Sequence, residues 1–358
     1  MRLGADGGLW STGPIAAPLP LVAVLEVSGA VLSWLVDGDP ADPPSITFTD
    51  PERADWLWRV LGETGHVALL DALRHREPGS QLELDDVAVQ PGSTAGLRRL
   101  AVGHWLRRWW PVSERDGIAA LDGALLDAEV ALLTAAAEDF FTDDTLDSDP
   151  VQLLAPRVAE LNVVSRHGDP RVQAVVRDCR ELAADSGVDW PDTVVAPARR
   201  EDYALAAGTG ARPPGAAIAE GTASVGWSAV PPGVFDAAED TVDWSVVGTE
   251  AVVRVALVGP GSPAGIEVAL RADGIGGAGV LDAAGRAVLT LFDAEGAPVS
   301  ETSAWNADWS GAAIRIGADV EGESAATRER VRGFARRRLS EPGAEAFLAE
   351  VLAAESDY

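Results

Sequence analysis

Alternating and helical patterns of apolar residues divide the chain into a mixed N-terminal part and a strand-rich C-terminal part. Residues 21–27 and 30–36 are apolar runs joined by Ser28-Gly29, which predicts a β-hairpin. Residues 118–141 carry apolar side chains at alternating spacings of three and four, which predicts the strongest helix of the chain. Another helix is expected to begin at Asp169-Pro170 and to end at Gly187, since Asp and Pro favour helix starts and Gly favours helix ends.

The same patterns place the remaining elements. Strands are predicted for residues 46–49 and 82–89, and helices for residues 93–110 and from Asp50-Pro51 onward, the latter interrupted by Gly62 and Gly65. Four strand-like runs follow at 252–258, 266–270, 287–292 and 313–316, with tight turns at 282–285 and 293–296. A helix at 327–339 and a second helix capped by Ser340 should end the chain.

These elements predict an α+β fold. A mixed α/β and helical domain is expected at residues 1–188, followed by a linker rich in Pro, Gly and Ala at 189–223. An immunoglobulin-like antiparallel β-sandwich of about six to eight strands is expected at 224–320, and a tail of two helices at 325–356.

The N-terminal segment and the single cysteine indicate a cytoplasmic protein. Residues 14–36 are largely apolar, but prolines and Glu26 interrupt them, which is atypical of a signal peptide or a membrane span. Cys179 has no second cysteine with which to form an intramolecular disulfide, and a lone thiol is typical of a reducing compartment. Its position on the apolar face of a predicted helix indicates a small core side chain.

Charge and composition exclude several classes of function. All 28 basic side chains are arginine, against 56 acidic ones, and this pattern is typical of GC-rich genomes such as those of actinobacteria. Without lysine the chain lacks the P-loop, protein-kinase and Schiff-base chemistries. The net charge of −28 disfavours nucleic acid and anionic membranes, and it favours basic partners.

Two segments have the composition of protein-binding anchors. Trp105, Arg108 and Trp109 belong to a run that interleaves aromatic and cationic residues, the types enriched at binding hot spots. Arg328, Arg332 and Arg336 lie four residues apart, which places them on one helix face as a docking row for an acidic surface. The alternatives in the first case are a core helix, an interfacial membrane helix or a nucleic-acid stacking surface. In the second case they are docking on the chain's own acidic sandwich, a solvated face, or binding of phosphate or nucleic acid.

A ligand platform and metal sites were the remaining candidates. Trp305, Asn306, Asp308 and Trp309 could stack a sugar ring and bond its hydroxyls, with Trp227 and Trp244 extending the platform, or they could close the end of the sandwich core. The acidic residues lack a complete ligand pattern; they are Asp37 and Asp39 after one strand and Asp143, Asp144, Asp147 and Asp149 after one helix. The four histidines show no ligand spacing, so no metal or other cofactor is expected.

The leading hypothesis is a cytoplasmic, non-enzymatic adaptor or scaffold that acts through protein–protein interaction. It depends on the two anchor-like segments and on the lack of a catalytic motif such as Gly-x-Ser-x-Gly. The alternatives are a carboxylate- and metal-dependent hydrolase or transferase, and a carbohydrate-binding module. A concave pocket with further carboxylates around Asp37 and Asp39 would favour the enzyme, and an exposed turn would favour the adaptor.

Overall fold

The computed structural model describes residues 1–6, 8–13, 17–75, 82–141, 149–191 and 217–356. The chain forms two compact units. The first unit comprises Met1–Arg108, Leu121–Ala196 and Arg337–Tyr358, and the sandwich unit comprises Trp109–Ala120 and Pro197–Arg336. The fold class is α+β with antiparallel C-terminal sheets and a helical tail, which confirms the class predicted from the sequence.

The first unit contains a six-stranded antiparallel sheet. Its strands are β1 Arg2–Asp6, β2 Leu9–Ser11, β3 Val22–Val27, β4 Ala30–Leu35, β5 Ser45–Phe48 and β6 Leu82–Glu83, in the order β3-β4-β5-β2-β1-β6. The predicted hairpin is confirmed, because β3 and β4 pair in register from Val27–Ala30 to Val22–Leu35. The predicted strand at 82–89 is limited to β6, since a turn follows in which Asp86 has a φ of 62°.

Six α-helices lie between Trp58 and Ser186 in the described part of the chain. They are α1 Trp58–Arg74, α2 Ala95–Trp109, α3 Gly123–Glu138, α4 Pro150–Leu154, α5 Val158–Val164 and α6 Pro170–Ser186. The predicted ends of α6 are confirmed: the Asp169 carboxylate accepts a hydrogen bond from the Arg171 amide, and Gly187 is left-handed. Cys179 lies on the buried face of α6, and burial raises the pKa of its thiol to about 12.

In the first unit, the starts of α1 and α3 differ from the sequence prediction. Helix α3 begins at Gly123 because the Asp122 carboxylate caps it, while Ile118 pairs with Ser113 in an isolated bridge. Asp50 caps only a single 3₁₀ turn, Pro51–Arg53, and α1 starts later. Gly62 kinks α1 as expected, with a φ of 73°, but Gly65 continues the helix.

The sandwich unit contains two antiparallel sheets. Its strands are β7 Ala219–Ala223, β8 Val242–Val247, β9 Glu250–Val255, β10 Glu267–Ala272, β11 Ile275–Val280, β12 Arg286–Thr290 and β13 Ala313–Ile316. Four strands form one sheet in the order β12-β9-β8-β7, and three form the other in the order β11-β10-β13. Both sheets bury their inner side chains in one apolar core, for example Val253 of β9 and Leu270 of β10. Strand β7 occupies the last residues of the segment that was predicted to be a linker; residues 192–216 of that segment lie outside the described residues.

The helices of the C-terminal part are α7 Glu301–Asn306, α8 Ala325–Ser340 and α9 Leu348–Ser356. The prediction that Ser340 caps the last helix is wrong, since Ser340 is the final residue of α8 and its hydroxyl donates to the Arg337 carbonyl. Within the described residues, none of the helices has the length and apolar character needed to cross a membrane.

The hairpin turn between β3 and β4 offers a test of this packing. Gly29 has a φ of 73°, and a Cβ there would lie 2.9 Å from the Ala54 amide nitrogen and closer still to the Asp50 carbonyl. Gly92 has a similar φ of 77° but open space around it. We therefore expect Gly29→Ala to lower the free energy of unfolding by about 2 kcal/mol more than Gly92→Ala does, in urea denaturation. Equal losses would contradict the close approach at Gly29.

Candidate functional site

The aromatic and cationic residues of α2 lie mostly inside the first unit. Trp105 is 3% exposed, and its indole nitrogen donates to the Pro20 carbonyl. Trp105 is therefore a core residue in this structure and not an exposed anchor. Arg108 and Trp109 are half-buried, and both already interact with other groups of the chain.

The arginine row of α8 meets carboxylates of its own unit. Arg328 forms two hydrogen bonds with Glu239, at 2.9 and 2.7 Å. Arg332 is 3% exposed and contacts Glu239 and Glu329 at 2.9 Å each, and Arg336 contacts Glu329 at 2.7 Å. Partial burial would raise the pKa of Glu239, but hydrogen bonds from its neighbours, Arg328 first, outweigh burial and hold this pKa at about 2. The guanidinium groups of the row are thus engaged within the unit.

The predicted aromatic platform is divided between surface and core. Trp305 is 56% exposed at the end of α7, and Asn306 and Asp308 are exposed as well. Trp309 is 9% exposed and donates to the Ala304 carbonyl. Its ring lies 6.4 Å from the ring of Trp244, which is also buried, so a single exposed indole remains at this end of the sandwich.

The acidic candidates form capping contacts. Asp39 is exposed, and its carboxylate accepts a hydrogen bond from the Ala41 amide at 2.8 Å, as in an ordinary turn. Asp149 caps α4, whereas Asp143, Asp144 and Asp147 lie outside the described residues. In the part of the chain that the structure describes, no three His, Cys, Asp or Glu side chains are close enough to hold a metal ion.

Two of the histidines, His66 and His104, are partly buried. His104 is mostly buried, and burial lowers its pKa to about 4, so the imidazole is neutral at physiological pH. Burial also lowers the pKa of His66. The Nε2 atoms of both rings are buried and have no hydrogen-bond partner among the described residues.

The sandwich unit carries a groove on the outer face of its four-stranded sheet. Two open cavities, of about 440 and 620 Å³, share Thr222, Asp243 and Arg254. These three residues follow one another across β7, β8 and β9 in register, and Arg286 of β12 continues the row. We call this row of four residues the sheet-face groove. Successive residues of a strand point to opposite faces of the sheet. The apolar residues next to this row along each strand therefore point into the core.

Two arginines face each other in the sheet-face groove. Arg254 and Arg286 are directly paired in the register of β9 and β12. No carboxylate of the described residues forms an ion pair with either guanidinium, although most of the other arginines of the sandwich unit have such a partner or a carbonyl contact. Like charges directly opposite each other destabilise a sheet. Asp243 lies opposite Arg254 on its other side, so the row carries two cations and one carboxylate.

The polar surroundings of the pair suit binding more than catalysis. The Thr222 hydroxyl donates to the Asp240 carboxylate at 3.2 Å, and Arg115 donates to the Glu239 and Asp240 carbonyls at 3.0 and 3.2 Å. Neither cavity is lined by histidine or cysteine. The sequence does not reveal this site, because only the cross-strand register brings the two arginines together. One signal was present: Arg254 is a charged residue inside the apolar run 252–258.

Comparison of the chain with protein-family models, with curated protein sequences and with solved structures found no match.

Proposed function

We propose that the chain is a cytoplasmic, non-enzymatic adaptor, and that the sheet-face groove binds an acidic segment of a protein partner. The observation that carries the proposal is the Arg254–Arg286 pair: among the described residues neither guanidinium forms an ion pair with a carboxylate, although Asp243 lies opposite Arg254 in the register. An incoming carboxylate would relieve the repulsion between the two guanidinium groups and form charge-assisted hydrogen bonds with them.

Two further observations support an adaptor over the alternatives. Asp39 lies in an exposed turn, which is the arrangement expected if the Asp37–Asp39 segment has no metal-dependent role. A sugar site built on several stacked rings would need Trp309 and Trp244 at the surface, and both are buried. The arginine row of α8 is a weaker docking candidate than the sheet-face groove, because Arg328 and Arg332 already contact Glu239.

The proposal predicts the outcome of a charge reversal. The double variant Arg254→Glu/Arg286→Glu should lose the partner. Because Asp243 lies opposite residue 254 in the register, circular dichroism should first establish that the variant folds. Affinity purification from the source organism with mass spectrometry would compare this variant with the wild type. Recovery of the wild-type partner should also fall as salt rises, since exposed charges are screened.

A matched control separates the groove from net charge. Arg177→Glu/Arg271→Glu changes the charge by the same amount at two other arginines, of which Arg177 is 65% exposed in its side chain and Arg271 is exposed on β10. This control should retain the partner. If every protein recovered by the wild type is recovered equally by Arg254→Glu/Arg286→Glu, the sheet-face groove is not the docking site and the proposal fails.

A further inference from the structure

Three exposed apolar residues lie beside the sheet-face groove. Val280 ends β11, Val288 lies in β12 and Phe292 follows β12, and their exposures are 56%, 46% and 40%. We call these three residues the apolar ridge. Together they place exposed apolar surface along the line where β11 and β12 run side by side.

Glycines in β11 bring the ridge together. A Cβ on Gly277 would lie 2.8 Å from the Thr290 carbonyl, and one on Gly279 would lie 2.9 Å from Leu289 and 3.6 Å from the Val288 carbonyl. Gly276 and Phe292 also exchange two backbone hydrogen bonds, of 2.9 and 2.8 Å. Strand β11 of one sheet thus runs directly alongside β12 of the other, and the apolar ridge follows this seam.

One continuous segment of the chain, from Arg286 to Phe292, carries residues of both the arginine pair and the apolar ridge. Arg286, Val288 and Phe292 are separated by even numbers of residues, so an extended backbone directs them to the same side. At about 3.3 Å per residue, Val288 lies about 7 Å and Phe292 about 20 Å along the chain from Arg286. Glu250 lies opposite Thr290 in the register, between those two apolar positions. Its negative charge disfavours a second acidic group there.

We infer that the segment bound at the sheet-face groove is an extended peptide with acidic residues at one end and apolar residues at the other. This inference rests on the proposed function and adds the class of ligand. The acidic end contacts Arg254 and Arg286, and the apolar side chains cover Val288 and Phe292. Charge complementarity at the pair and the apolar surface of the ridge fix the direction in which the segment lies.

Synthetic peptides can test this inference. The first probe is a fluorescein-labelled octapeptide with two glutamates followed by alternating serine and leucine, and the second has serine in place of every leucine. Fluorescence anisotropy with the full chain should show that the first probe binds at least about tenfold more tightly, because apolar side chains are removed from water. A third probe with two arginines in place of the glutamates should not bind.

Variants of the chain assign the effect to the two surfaces. Val288→Ser/Phe292→Ser should reduce the affinity for the first probe to that for the second, whereas Val320→Ser, at a residue that is 51% exposed, should change neither. Arg254→Glu/Arg286→Glu should abolish binding of both acidic probes. Equal affinity for the two acidic probes, or no binding of the first, would overturn the inference. The proposed function would then still be decided by whether Arg254→Glu/Arg286→Glu loses the cellular partner.

Discussion

Replacing Arg332 by methionine is expected to lower the free energy of unfolding by about 3 kcal/mol. Arg332 is 3% exposed, and its guanidinium contacts Glu239, Glu329 and Asp116 at 2.9, 2.9 and 3.1 Å. Methionine fills much of the same volume but leaves these carboxylates near one another without their shared cation. Urea denaturation followed by tryptophan fluorescence would measure the loss.

Arg336 supplies the matched control for this prediction. It is on the same helix face and also pairs with Glu329, but its side chain is 39% exposed. Surface ion pairs contribute little because water and salt screen them, so Arg336→Met should cost less than about 1 kcal/mol. If both variants lose the same stability, the row acts as a solvated helix face and the burial of Arg332 has no energetic role.

The second large effect concerns pH and a buried carboxylate of the first unit. Glu129 is 8% exposed; its carboxylate accepts hydrogen bonds from the Leu348 amide at 2.6 Å and from Arg99 at 3.1 Å. Burial raises its pKa from 4.5 to about 7, because the hydrogen bonds and Arg99 compensate only part of the desolvation and the nearby Glu350 opposes ionisation. The folded protein therefore holds this proton more tightly than the unfolded chain does.

The sign of the effect follows from this raised pKa. Stability contributed by protonated Glu129 is fully present below pH 4.5 and is lost as the pH rises through 7. At 1.36 kcal/mol per pH unit, the loss between these values is about 3 kcal/mol. Glu129→Gln removes the titration, so its stability relative to the wild type should improve by about that amount between pH 4.5 and pH 8. Urea denaturation at both pH values would measure the difference.

Two comparisons separate the effect of Glu129 on stability from the effects of other titrating groups. Burial lowers the pKa of His104 to about 4, so its contribution to the free energy of unfolding is lost as the pH falls. Both proteins contain His104, so this contribution cancels in the difference between them. Glu160→Gln, at a side chain that is 54% exposed, serves as a control for the removal of one negative charge. A Glu129→Gln curve that stays parallel to the wild-type curve from pH 4.5 to pH 8 would show that Glu129 does not titrate in this range.

Features that depend on a few neighbouring residues were predictable from the sequence. Asp169 and Gly187 limit α6 because capping needs only the adjacent amides and carbonyls, and the Ser28-Gly29 hairpin needs only a turn between two apolar runs. In the same way, the Asp282 carboxylate accepts from the amides of Ala284 and Arg286 and makes the predicted turn.

Features that depend on distant partners were not predictable. The apolar spacing of residues 118–141 predicts a helix from Ile118 onward. In the structure, the Asp122 carboxylate determines where α3 starts, and Ile118 instead joins an isolated β-bridge. Strand β11 is rich in glycine and lacks the pattern of a strand; it forms by pairing with β10, and Gly277 and Gly279 leave room for β12 on its other side. The sheet-face groove depends on the register of β9 and β12, and the partner of Arg332 is separated from it by 93 residues. A helical spacing of arginines identifies the face of a helix but not the carboxylate that it meets.

The glycine-lined seam between β11 and β12 also bears on solubility. Strands at the edge of a sheet carry free backbone donors and acceptors that can recruit another chain and start aggregation. Because β11 and β12 lie against each other, with Gly276 and Phe292 hydrogen-bonded across the seam, the sandwich is partly closed on this side. Strands β7 and β13 form the opposite edges of the two sheets. The absence of a Cβ at Gly277 and Gly279 thus lets β12 cover one edge of a β-rich unit and protects that edge from unwanted strand addition.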